Sequence, residues 1–137
     1  MKRITSIALF ALVSFVTIGS ISAQERAVKA NVPFDFTVSG KLLPSGTYTI
    51  SAEDPNTLML RNDQKGVTVF SIAYADGKQS NTGKLVFNKY GDQYFLSEVL
   101  CSSVDMNMEI PTSKAEKRAR VQEASIHNAS QVYVALK

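Results

Sequence analysis

The chain of 137 residues has no tryptophan, one histidine and one cysteine. A single cysteine, Cys101, excludes an internal disulfide framework, so the fold must rest on packing. One Cys and one His also exclude the ligand clusters that hold structural zinc. No glycine-rich phosphate loop is present. Pairing His127 with Cys101 as base and nucleophile has no support in spacing, and no third orienting group is indicated. The carboxylates Asp35, Glu53, Asp54, Asp63, Asp76, Asp92, Glu98 and Asp105 are scattered over separate strands and loops. None forms a pair suited to acid–base work. The sequence therefore assigns no catalytic residue and no cofactor, and the chain is read as a non-enzyme.

Long apolar runs are equally scarce. The exception follows Lys2 and Arg3, where Ile4 to Ile18 carries no charge. Small residues come next, Gly19 to Ala23, then the polar Gln24-Glu25-Arg26. This order is that of a secretory signal peptide, residues 1–23, cut after Ala23 or Ser22. The run is shorter than the roughly 20 residues a membrane-spanning helix needs, so no stable span is expected after cleavage. The expected location is periplasmic or secreted. Without residues 1–23, the charge is 13 basic residues against 12 acidic ones, where the whole chain shows +3. A near-neutral domain lacks the concentrated basic surface that nucleic acid requires. The remaining length fits a single domain, residues 24–137.

What is present is alternation. In "KANVPFDFTVSGKLLPSGTYTI", residues 29–50, apolar and polar residues take turns with a period of two. That is the mark of a strand with one buried face. Pro33 has no N–H to give a ladder, so residues 27–38 read as an edge strand, bent at Pro33. Such an edge is a candidate for a partner strand. Pro44 and Gly46 fit a type I turn. Strands follow near 47–52 and 57–61. Val67 to Ala75 is apolar on both faces and reads as a central, covered strand. Lys84 to Tyr90 and Gln93 to Cys101 read as a hairpin around Gly91-Asp92. Residues 113–127 favour helix, with Ser113 and Glu116 as a capping box. Glu116 and Arg120 stand four apart, a stabilising helical pair. A last strand spans about 131–136. Seven or so strands with one late helix give a mainly β fold, an antiparallel β-sandwich or open barrel.

At "VPFDFTVSGKLLPSGTYTI" the chain resembles a group of small exported bacterial β-proteins without an assigned function. In these, a Pro-Phe-x-Phe strand precedes a Leu-Pro-x-Gly-x-Tyr turn and strand. "KLVFNKYGDQYFLSEV" and "SKAEKRAR" resemble the same group. The resemblance implies an exported β fold and a structural corner at Pro44, Gly46 and Tyr48. It implies no catalytic or binding residue.

The binding chemistries open to such a domain are few. Met106 and Met108, with Cys101 and His127, are soft ligands suited to Cu(I), or else core fillers. Cys101 is a buried core thiol or an intermolecular disulfide. Lys114, Lys117, Arg118 and Arg120 form a positive patch for an anionic polymer or lipid, or the wet side of a helix. Tyr48, Tyr74, Tyr90, Tyr94 and Tyr133 could stack on sugar rings, or pack. The expected role is a secreted or periplasmic binding domain, partnered by another envelope protein or an anionic polymer. A copper-binding protein and a carbohydrate-binding module are the alternatives.

Overall fold

The computed structural model of the chain describes residues 26–124 and 129–137. The leader read at 1–23 and His127 lie outside the described residues. Strands β1 (Ala27–Val32), β4 (Gly46–Asp54), β5 (Thr57–Asn62) and β6 (Val67–Ile72) form one antiparallel sheet, in the order β1-β4-β5-β6. The second sheet runs β11 (Ser130–Ala135), β8 (Lys84–Tyr90), β9 (Gln93–Cys101), β10 (Met106–Glu109) and β7 (Tyr74–Ala75). A short hairpin, β2 (Phe36–Val38) and β3 (Lys41–Leu43), joins it by β2 lying parallel to β9. The architecture is mainly β with one helix, α1 (Lys114–Ala124), and the larger sheet curls into half a barrel.

The two sheets meet along both sides. On one side, Leu136 bridges to Ala30 and the Lys137 N–H donates to the Lys29 carbonyl at 2.8 Å. On the other, residues 67–75 serve both sheets, because β6 pairs with β5 and β7 pairs with β10. The side chains that alternate inward fill the space between. Phe36, Tyr48, Ile50, Leu58, Leu60, Leu85 and Phe87 are all at most 1% exposed. Each such side chain contributes about 1.5–3 kcal/mol by leaving water. The Phe36 ring meets Tyr48 and Phe87 edge to face at 5.2 and 5.3 Å between centroids.

The expected single edge strand 27–38 is two strands in different sheets. Pro33 has no N–H to continue the ladder, and the chain changes sheets across Pro33-Phe34-Asp35. Phe34 turns onto Tyr94, stacked at 3.9 Å, and Asp35 Oδ1 accepts the Ser45 N–H at 2.7 Å. The free side of β1 is also partly taken by residues 136–137 of the chain itself. It is therefore a poor place for a foreign strand.

At the next corner the chain bends at Ser45 instead of closing a hydrogen-bonded type I turn. The Tyr48 hydroxyl donates back to the Pro44 carbonyl at 2.6 Å, which ties the bend to the core. Burial pushes that hydroxyl above the ordinary tyrosine range, against a smaller opposing pull from the Asn62 amide.

Two further expectations change. The segment 67–75 is covered on one face only: Val69, Ser71 and Ala73 are buried, whereas Phe70, Ile72 and Tyr74 are exposed. The capping box is half formed. The Glu116 N–H donates to Ser113 Oγ at 3.1 Å, but its carboxylate leaves the helix to accept from Asn88 Nδ2 at 2.9 Å. Glu116 is only 4% exposed and no ion pair with Arg120 forms among the described residues. An exposed helical pair is worth about 0.3–0.5 kcal/mol, less than a buried charge-assisted bond that docks α1 on β8.

Candidate functional site

The site is a seam that starts to close and then stops. Between β7 and β10, Ala75 pairs with Met108 and Tyr74 with Glu109, and the Asp76 N–H donates to the Asn107 carbonyl at 2.8 Å. The same register would next bring Ala73 to Ile110 and Ile72 to Pro111. Neither pair forms. The Ile110 N–H goes to the Ser97 carbonyl on β9 at 2.8 Å, and Pro111 has no N–H. From there the chain turns away into α1, while β6 runs on with β5 as its only partner among the described residues.

A groove of about 840 Å³ opens where the seam parts. Phe70, Ile72 and Tyr74 form one wall, and Pro111, Lys114 and Arg118 stand on the other. The β2–β3 turn reaches the groove with Ser39 and Gly40, both at positive φ, and Ser39 Oγ lies 2.6 Å from Ser71 Oγ. Phe70, Ile72 and Tyr74 are 59%, 60% and 54% exposed. They recur every second residue, so their side chains stand in a row about 7 Å apart.

The backbone of that wall is also open. The Ala73 N–H donates to the carbonyl of Asn56, the residue just before β5, at 3.0 Å. In an antiparallel ladder, inward-bonded and outward-facing residues alternate. Val69 and Ser71 therefore share the bonding sense of Ala73, while Thr68, Phe70 and Ile72 turn their N–H and C=O away from β5. Free strand edges are normally short or guarded by charge or proline. The β3 edge obeys this, with three residues including Lys41. β6 reads VTVFSI, six residues with neither charge nor proline.

Among the described residues, no carboxylate lines the groove. Lys114 and Arg118, one helical turn apart, have no acidic partner among the described residues. Glu109 is exposed opposite Tyr74 but is not part of the lining. The positive patch expected from the sequence thus divides. Two of its cations face the groove, while Arg120 acts on Tyr90. Burial and then the Glu116 carboxylate push the Tyr90 hydroxyl above its usual range, with Arg120 opposing.

The soft ligands go elsewhere. Cys101, Met106 and Met108 are at most 6% exposed and belong to the main core. Cys101 and Met106 do face each other across β9 and β10. His127, the fourth candidate, lies outside the described residues. Among the described residues, no group of three or more His, Cys, Asp or Glu is placed to hold a metal. Core filling accounts for both methionines and the thiol. Burial also keeps Cys101 from reaching another chain without local opening.

The tyrosines separate as well. Tyr48 and Tyr90 are buried and Tyr94 is stacked under Phe34. Tyr74 and Tyr133 are exposed, but on strands at opposite ends of the larger sheet. Tyr133 carries Lys84 Nζ at 4.7 Å from its ring centre. A second opening holds Asp54, Asp76 and Asp105 at its rim, with Arg26 3.7 Å from Asp105. Lys78 bridges Asp76 and Glu98 at 3.3 and 2.6 Å, which pins the loop after β7. Among the described residues no helix is long and apolar enough to cross a membrane. In comparisons with known proteins, no family model, no curated protein and no solved structure matches the chain.

Sequence reasoning missed the groove by placing residues 67–75 in the middle of a sheet. The signal lay in Pro111. It forbids the ladder bond that would have covered Ile72.

Proposed function

We propose that the protein is a non-catalytic binding domain, exported by its N-terminal leader, that holds a partner in the groove beside β6. The observation that carries this reading is the coincidence of two open features along one stretch of chain. Phe70 and Ile72 of β6, followed by Tyr74 of β7, expose large apolar side chains in a row, and among the described residues β6 has no strand on its outer side. Contiguous apolar surface of this kind marks an interaction site. An unguarded edge supplies main-chain hydrogen bonds for the same occupant. The partner is another envelope protein, and the partner strand expected at residues 27–38 belongs at β6.

Ile72→Asp tests the reading, because an exposed side chain can change with little effect on folding. Envelope material captured on the wild-type protein is expected to be lost on Ile72→Asp. It should be kept on Tyr133→Ser, an equally exposed aromatic at the far edge. Both variants should melt as the wild type does. Retention of the same partner by Ile72→Asp would remove the groove from the function.

A further inference from the structure

We propose that the occupant of the groove is an extended acidic peptide segment. It adds as a strand to β6 and sets its carboxylates against Lys114 and Arg118. The inference rests on the reading of the groove as a binding surface and goes on to name the chemistry of the partner.

Three properties of the walls select that chemistry. The first is the open backbone. Thr68 and Phe70 present outward N–H and C=O groups at two-residue spacing and Ile72 its outward N–H, its carbonyl already accepting from Ser71 Oγ at 3.1 Å, a template for another extended chain. The second is the apolar row of Phe70, Ile72 and Tyr74. An added strand places every second side chain on the same face, so alternate apolar residues of the segment cover that row. The third is charge. Among the described residues, the lining has two cations and no anion. Carboxylates on the segment would give Lys114 and Arg118 the acidic partners they lack among those residues, and Arg118 can take one in bidentate fashion.

The same features disfavour a second copy of this chain. Copies joined through β6 would bring two sets of Lys114 and Arg118 to one seam, and like charges there repel. The wall from Pro111 to Arg118 also stands along the free edge. The cations therefore act as a filter. They oppose self-association at an edge with no guard of its own, and they admit a segment of opposite charge.

The test uses the purified protein and a displayed library of random nine-residue peptides. Selected binders are expected to alternate apolar residues with others and to be enriched in Asp and Glu. Adding such a peptide should slow hydrogen exchange at the Phe70 and Ile72 amides. Lys114→Glu combined with Arg118→Glu should weaken it about tenfold or more, the loss expected for charge-assisted bonds. Thr68→Pro removes one outward N–H and leaves the bonds to β5 in place, so it should weaken binding without lowering the melting temperature. Uncharged or basic binders that still protect Phe70 and Ile72 would overturn the acidic occupant and leave the groove reading standing. So would a charge-reversed double variant with unchanged affinity. Binders that leave both amides unprotected, or a library that gives none, would overturn both readings. A dimer in sedimentation that Ile72→Asp dissolves would assign the groove to a second copy and end this proposal.

Discussion

Gly46 is the position where a single methyl group should do the most damage for its size. Its φ is +150°, a region that L side chains rarely adopt. A Cβ built there would lie 2.7 Å from Asn62 Nδ2, closer than real contacts allow. Asn62 cannot step aside easily, because it is fully buried and its Oδ1 accepts the Lys65 N–H at 3.1 Å. Backbone strain at such a site costs about 1–3 kcal/mol. Moving Asn62 off its hydrogen bond adds about 1 kcal/mol. Against this, alanine stiffens the unfolded chain and returns about 0.4–1 kcal/mol. Strain wins, and Gly46→Ala should destabilise by about 2 kcal/mol net. Urea unfolding followed by circular dichroism measures it, with the midpoint falling and the slope unchanged. Asn62→Ser shortens the opposing side chain. In Gly46→Ala/Asn62→Ser the contact part of the loss, about 1 kcal/mol, should vanish while the backbone part remains. The reasoning fails if Gly46→Ala unfolds within about 0.5 kcal/mol of the wild type, the range of ordinary surface changes.

Other consequences are open to direct measurement. Glu116→Ala strips the anchor of α1 from Asn88 and should cost about 2 kcal/mol, whereas Glu116→Gln keeps an acceptor and should cost under about 1 kcal/mol, both read from thermal melts. Tyr48 and Tyr90 both have hydroxyls pushed upward, chiefly by burial. The folded state then holds those protons more tightly than the unfolded one. Stability should be intact below about pH 10 and fall above it, by up to about 1.4 kcal/mol per pH unit for each tyrosine. Tyr90→Phe should make that alkaline slope shallower in urea titrations at stepped pH. Cys101, 6% exposed with its Sγ 3.2 Å from Ser103 Oγ, should react with a thiol reagent only at the rate of local opening. Urea below the unfolding midpoint should speed the labelling.

The strands with one buried face were legible because their pattern is local. Val28, Ala30 and Val32, or Leu58 and Leu60, alternate strictly, and each points where the alternation says. The β8–β9 hairpin was legible from Gly91, which sits at φ +59° as its turn requires. The corner at Pro44, Gly46 and Tyr48 was legible as a change of chain direction, but the type I turn expected there is a bend at Ser45, held by a hydrogen bond from a phenol to a carbonyl four residues back. Three things were hidden. The β2–β3 turn rests on Ser39 and Gly40, both at positive φ, inside a run whose alternation hardly breaks. The change of sheet at Pro33 needs knowledge of which strands lie beside it. The open edge beside Phe70 and Ile72 depends on a neighbour that departs about 40 residues later in the chain, at Pro111, whereas Tyr74 stays exposed with β10 paired beside it. No window around residue 70 contains that fact, so the apolar pattern there reads as a covered central strand.

That hidden dependence also explains how one chain can fold reliably and still keep an open edge. Residues 67–75 satisfy the core through Val69, Ser71 and Ala73, and these fix the register whatever happens outside. A slip of one residue would bury Thr68 and expose Val69, so the inner face holds the strand in place. The outer side is then free to vary without cost to folding. Closing it would need a residue with an N–H at position 111 and a chain that continued straight. Instead Pro111 ends the ladder, Ser113 caps α1, and the Glu116 carboxylate pulls the helix towards Asn88 and Tyr90 on β8. The anchor that draws α1 aside is thus the same interaction that keeps the groove apart. Loosening it in Glu116→Ala should weaken peptide binding as well as stability, although Glu116 does not line the groove. A variant that lost stability and kept full peptide affinity would show that the groove holds its shape without the helix.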